Sequence, residues 1–272
     1  MSQAPTRSGH DLLAEANRPD PERRFGGLRR LHGIEGYARL RAARIAVVGV
    51  GGVGSWTAEA LARSGVARLV LIDLDQVAES NINRQVHALE TTVGQAKVEA
   101  LRQRIALIHP EAEVRAIEAF VDEANVAQLL DANDIDGVID CCDQVRAKAA
   151  IAAWGAQHGV SVVAVGAAGG KCSPQAVEVA DLGAVTHDPL LASLRQRLRQ
   201  RHSGARQGPM GLRCVFSREA VRPPQDRCDL PEAGDASASD GSLNCAGYGS
   251  SVMVTATFGM VAAAEMVAHV LR

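Results

Sequence analysis

Aromatic side chains are scarce in this chain: Phe, Trp and Tyr together make up 3% of its 272 residues, against an apolar fraction of 47%. Its core must therefore be built mostly from Ala, Val, Leu and Ile. The length suffices to bury such a core as one large domain or one domain with a substantial insertion. Paired cysteines are also missing. The six cysteines, at 141, 142, 172, 214, 228 and 245, contain no C-x-x-C, which argues against a four-cysteine zinc site. No export signal is visible, because the first 22 residues are polar and contain proline; they read as a disordered tail. Reduced thiols in a cytosol follow as the expectation. There is no internal repeat.

Lysine is absent from one stretch that is otherwise strongly basic. Arg195 to Arg227 holds nine arginines against Glu219 and Asp226, a local charge of about +7 that the formal net charge of -2 conceals. A single run, Val252 to Leu271, is apolar enough and long enough in principle to cross a bilayer. It carries Thr255, Thr257, Glu265 and His269, and an unpaired Glu265 would be costly inside a membrane. The expectation is a buried or dimer-facing helix in a cytoplasmic protein. Peripheral or single-pass membrane association through 252–271 is the alternative.

The segments alternate as in a Rossmann-like, doubly wound α/β fold with a mostly parallel sheet. Strands are expected at Arg44–Gly49, Arg68–Asp73, Val114–Glu118, Gly137–Asp140 and Val160–Val165, because continuous apolar runs suit parallel strands covered on both faces. Helices are expected at Ser55–Arg63, Val93–Ile108, Val126–Leu130 and Arg146–Gln157. Beyond Gly166 the pattern weakens into a C-terminal extension of mixed strands and helices, with a strand at Ala176–Ala180 and a basic helix at Pro189–Arg201. Residues 223–245 read as a long loop. The domain reading is a tail over 1–22 and a nucleotide-binding domain over 23–272, with 171–272 as its substrate-binding extension.

The chemistry begins at Gly49-Val50-Gly51-Gly52-Val53-Gly54, between a strand and a helix. Glycines there let backbone N–H groups and a helix N-terminus approach a phosphate. Asp73, about 20 residues on, is placed to hold ribose hydroxyls, and Asp75 is either a ligand contact or a turn former. An oxidoreductase needs little more, but this chain adds Asn81, Arg84, Gln85 and Lys97, side chains suited to gripping a triphosphate. That favours ATP over NAD. Asp140 and Asp143 follow the fourth strand, at the edge where open α/β sheets bind ligands. A carboxylate facing phosphates needs a cation between them, and Mg²⁺ held by Asp143 is the expected solution. Asp140 is expected to support the loop.

Taken together, GVGGVGS…DLDQV…SNINRQ…GQAK…DCCDQ resembles the ubiquitin-activating-enzyme superfamily of ThiF-type adenylylating proteins. The resemblance implies an ATP site that activates a carboxylate and releases pyrophosphate, with Gly51 and Asp73 contacting the nucleotide; Gly49, Gly52, Gly54 and Asp75 complete the candidate nucleotide-binding set. It places Asn81, Arg84, Gln85 and Lys97 on the phosphates and Asp143 on Mg²⁺. It also implies a homodimer in which Arg24 reaches the neighbouring subunit's ATP. The sulfur-carrier activators of this superfamily carry two C-x-x-C zinc pairs that this chain lacks, so no zinc is expected. Arg23–Gly27, Asn83–Leu89, Gly169-Gly170, Asp188–Leu190, Cys214–Ser217 and Met253–Gly259 are instead similar to the branch that dehydrates threonylcarbamoyladenosine in tRNA. That implies cyclisation of the modified adenosine beside the anticodon through an adenylylated carboxylate.

With a tRNA substrate, the arginine block gains a role: Arg195, Arg197, Arg199 and Arg201 become candidate phosphate contacts, although a solvated helix face would look the same. Cys245 is expected to have a structural or sulfur-relay role rather than a catalytic one, since an intramolecular cyclisation needs no covalent enzyme intermediate. The resemblance leaves a structural monovalent cation and cysteine desulfurase or other sulfur-acceptor partners open. Activation of a sulfur carrier's C-terminal glycine is the competing enzyme reading, and a non-enzymatic binding module the third.

Overall fold

The computed structural model describes residues 19–131, 134–223 and 248–272. Seven strands form one sheet: Arg44–Val48 (β1), Arg68–Ile72 (β2), Glu113–Ile117 (β3), Gly137–Asp140 (β4), Ser161–Val165 (β5), Val177–Asp181 (β6) and Arg213–Ser217 (β7). Their spatial order is β3-β2-β1-β4-β5-β7-β6. Every pair is parallel except β6 with β7. The C-terminal third therefore continues the same sheet.

The helices described are Pro21–Ala42 (α1), Gly54–Arg63 (α2), Lys97–Ile108 (α3), Val126–Asp131 (α4), Val145–His158 (α5), Pro189–Arg201 (α6) and Val252–Val270 (α7). α1 starts inside the segment expected to be tail. Asp20 caps it by accepting from the Glu22 N–H at 2.8 Å, with Pro21 in the first turn, where its missing N–H costs nothing. The helix kinks at Gly33, whose φ is 76°. α3 begins four residues later than expected. The chain before it is occupied by a turn and by a bridge between Gln76 and Ala96.

Alternation along β1 explains the layers. Ala46 and Val48 join one core with Trp154, Leu191 and Phe216, while Ile45 and Val47 join the other with Leu61, Leu101, Phe258 and Met266. Aliphatic side chains buried this way contribute roughly 1.5–3 kcal/mol each. α7 is long and apolar enough to cross a membrane. Val254, Phe258, Ala262 and Met266 form a buried stripe along it at four-residue spacing. Glu265 is ion-paired with Arg213 at 2.8 Å. The helix packs on the sheet with one face and leaves Met253 and Met260 exposed on another.

Candidate active site

The order of the sheet reverses direction at β1, with β2 on one side and β4 on the other, which opens a crevice at the C-terminal ends of the strands. Loops after β1, β2, β4 and β5 all meet there. Gly49 leaves β1 with φ at 79°, and a Cβ on it would lie 2.9 Å from the Cys142 nitrogen. Only glycine fits a left-handed turn pressed against that peptide. Gly54 starts α2 so close to the Gly49 carbonyl that any side-chain carbon would overlap it.

Asp73 stands at the end of β2. Its carboxylate accepts the Val50 N–H at 2.8 Å and the Asp75 N–H at 2.9 Å, tying it to the glycine loop. Burial pushes its pKa up, opposed by Lys97 and by those two bonds. The Lys97 ammonium, itself buried, pairs with Asp75 at 2.7 Å. Asp75 is thus the counter-ion of Lys97 as well as a turn residue.

Arg84 is held by its backbone and aimed by its side chain. Its carbonyl accepts from Trp56 Nε1 at 2.9 Å and from Thr255 Oγ1 at 3.5 Å, so α2 and α7 both grip it. Its guanidinium donates to the Ser80 carbonyl and Asn83 Oδ1, at 2.9 and 3.0 Å. Partial burial lowers its pKa, yet a guanidinium stays charged at any physiological pH. Asn81 is buried and caps its own turn by accepting the Ala78 N–H at 3.0 Å. Gln85 is buried beside Gly51 with its Oε1 unpartnered among the described residues.

Two adjoining cavities share the wall Cys141-Cys142-Asp143. One, of about 130 Å³, is lined by Gly49, Gly51, Asp73, Asp75 and Phe120. The other, of about 80 Å³, is lined by Gly52, Arg84, the turn Gly166–Gly169 and Thr255. Asp143 faces both. A half-buried carboxylate at that junction, with Asp73 and Asp75 on the wall of the first cavity, fits a hard cation shared with phosphate oxygens. The far lip is fixed by Asp188, which accepts the Ala167 N–H at 2.9 Å and caps α6 through the Leu191 N–H at 3.0 Å. Burial pushes the Cys141 thiol up to about 12, so it is inert toward ionisation at neutral pH.

Asp140 is fully buried and ion-paired with Lys148 at 3.2 Å, below the crevice rather than in it. Lys148 escaped the sequence reading because one lysine in an alanine-rich helix looks like a surface residue. Its only signal is the buried-helix composition around it, Ala147, Ala149, Ala150 and Ile151.

Other candidates lie elsewhere. Arg24 donates to the carbonyls of Leu107 and Ile108, at 3.2 and 2.6 Å, at the end of α3 opposite Lys97. The alternating arginines of α6 do not share a face. Arg195 holds the Leu182 and Val185 carbonyls, Arg197 pairs with Glu123 at 2.6 Å, and Arg199 bonds the Ala205 carbonyl, while Arg201 is exposed. Cys228 and Cys245 fall outside the described residues.

The family model for ThiF matches residues 25–272. The tRNA threonylcarbamoyladenosine dehydratase of Escherichia coli is 42% identical over 252 residues, covering 92% of both chains. Crystal structures of the E. coli dehydratase in complex with AMP and with ATP superpose with TM-scores of 0.82 and 0.81, at 41% and 40% identity, over 92% of this chain and 94% of theirs. By its sheet, its crevice and its sequence over nine tenths of its length, this chain belongs to the ThiF family.

Proposed function

We propose that this protein is an ATP-dependent tRNA threonylcarbamoyladenosine dehydratase. The observation that carries this reading is the convergence of Asp73 and Asp143 on one cavity and of Arg84 and Asp143 on the cavity adjoining it. The substrate's carboxylate attacks the α-phosphorus of ATP and expels pyrophosphate. The carbamoyl oxygen then closes on the activated acyl carbon, expels AMP, and leaves a cyclic oxazolone with one water fewer than the starting adenosine.

In this scheme Asp73 holds the ribose, and Arg84 and Lys97 meet the charge that develops on the transferring phosphate. For Lys97 this means exchanging Asp75 for a phosphate oxygen. Asp143 would hold Mg²⁺, which when bound neutralises phosphate charge. Arg24 lies beyond α3, whose 12 residues make a rod of about 18 Å. It is therefore assigned to the neighbouring chain's site in a homodimer. Exposed apolar side chains on α1 and α3, Leu31, Ile34 and Leu107, support such an interface. tRNA is assigned to the basic side of the C-terminal third, where Arg201, Arg206, Arg218 and Arg222 are exposed. A tRNA substrate fits a cytoplasmic enzyme.

The test is nucleoside mass spectrometry of tRNA incubated with the protein and ATP. Loss of one water from threonylcarbamoyladenosine is expected, and an unchanged nucleoside refutes the reading.

A further inference from the structure

Among the largest fully buried side chains of this protein are two lysines, Lys148 and Lys171. Lys171 is stapled to the backbone carbonyls of Ser217, Glu219 and His187, at 3.0, 3.2 and 3.4 Å. Lys148 lies directly under the crevice. Its ammonium is 3.0 Å from the Asp140 carbonyl and 3.2 Å from Asp140 Oδ2. The other carboxylate oxygen, Oδ1, accepts the Cys142 N–H at 3.1 Å and the Cys142 thiol at 2.8 Å. Lys148 thus pins the end of β4 from below, and Asp140 passes the constraint to the next turn.

That turn is the wall of both cavities. The Cys141 N–H donates to the Val48 carbonyl at 2.8 Å, and Gly49 leans on the Cys141–Cys142 peptide. One residue further on is Asp143. A chain of contacts therefore runs from a solvent-free ammonium to the carboxylate that faces the phosphates.

Burying two charges is expensive, and an apolar pair of similar volume is often as stable. Stability alone is a weak reason for this pair. Burial works to lower the Lys148 pKa, but Asp140 and the neighbouring thiols Cys142 and Cys141 outweigh it and raise it, so the ammonium stays charged.

We propose that Lys148 is a positioning residue for adenylylation: by holding the carboxylate and carbonyl of Asp140, it fixes the turn that presents Asp143 to the nucleotide. This rests on the function proposed above. The variants are Lys148→Met and the neutral pair Asp140→Asn/Lys148→Met, which avoids a buried unpaired charge but still removes the donor from the Asp140 carbonyl. Two measurements are made. Hydrogen–deuterium exchange on the protein without substrate should show the amides of residues 141–144 exchanging about tenfold faster, with β1 and β5 unchanged. Steady-state kinetics with tRNA and ATP should show kcat lowered about tenfold or more in the neutral pair, with the KM for ATP within about threefold of the parent.

Unchanged protection at 141–144 overturns the proposal, as does a parental kcat in a folded neutral pair. A loss confined to the KM for ATP overturns it too. Failure of the neutral pair to fold makes Lys148 a structural prop and equally ends the idea. If the parent protein does not dehydrate tRNA, the functional reading fails, while the exchange measurement still decides whether Lys148 orders the turn.

Discussion

His87 gives the protein a specific weakness in acid. Its ring is 1% exposed, and neither ring nitrogen has a hydrogen-bond partner among the described residues. Burial, then the charges of Lys97 and Arg104, lower its pKa from 6.5 to about 4. The unfolded chain therefore takes up this proton before the folded one does. The stability tied to a neutral His87 is fully present above pH 6.5 and is lost as the pH falls from 6.5 toward 4. At about 1.36 kcal/mol per pKa unit, the loss between pH 7 and pH 5 comes to roughly 2 kcal/mol, and the full span to about 3 kcal/mol. For a chain of this size, 2 kcal/mol corresponds to a Tm drop of roughly 4–8 °C. The assay is thermal and urea unfolding of the parent and of His87→Leu at both pH values. The remaining acid-sensitive groups, including the buried His109, are common to both proteins and cancel in the difference. The leucine variant should lose about 2 kcal/mol less stability than the parent. Stability curves that run parallel with pH refute the reasoning and mean that His87 has a partner or a water supply in solution.

The phosphate grip makes a second expectation: Arg84→Ala or Lys97→Ala should lower tRNA-dependent pyrophosphate release by about a hundredfold or more at nearly unchanged Tm, and normal release in both variants refutes it. The two aspartates should separate cleanly. Asp143→Asn should raise the Mg²⁺ concentration needed for turnover, whereas Asp140→Asn should cost roughly 3–5 kcal/mol of stability by orphaning Lys148; a Mg²⁺ titration and an unfolding curve for each variant check this. The arginines should divide as well: Arg195→Gln should lower Tm by stranding the Leu182 and Val185 carbonyls, while Arg201→Gln/Arg206→Gln should reduce the salt slope of tRNA binding by about 1.5. Superimposable binding curves would move the tRNA elsewhere.

The parallel strands were legible because residues covered on both faces read as unbroken apolar runs, and β1, β2 and β5 are such runs. The crevice was legible because loops at strand ends carry characteristic residue types, and Gly49, Gly51, Asp73 and Asp143 do line one cavity there. α1 was not legible as a helix, since Gly26, Gly27, Gly33 and Gly36 dilute its pattern and Gly33 breaks its geometry. β7 has only Cys214, Val215 and Phe216 between Arg213 and Ser217 and lies beyond Gly166, where the helix–strand alternation weakens, so it surfaced only as a motif. The α6 arginines misled in a different way. Alternate positions on a helix point to different sides, and each of Arg195, Arg197 and Arg199 found a partner that only the folded chain brings near. Lys148 fails for the same reason: its partner lies on the neighbouring strand end, and burial of a charge is a property of the packed fold.

The last helix has a consequence for how the protein is made. Gly259 of α7 lies so close to the start of α2 that a Cβ would sit 2.6 Å from the Val53 carbonyl, and its own carbonyl accepts from Thr57 Oγ1 at 3.3 Å. The glycine loop thus leaves a ribosome long before the helix that buttresses it. Until α7 arrives, the apolar face formed by Leu61, Ile45 and Val47 stays open to solvent and to other chains. A polypeptide interrupted before Val252 would carry every nucleotide-binding motif and still lack the surface that holds Arg84 in place. Arg84 is therefore seated only once α7 has been made, and nascent chains of this protein should need shielding until then.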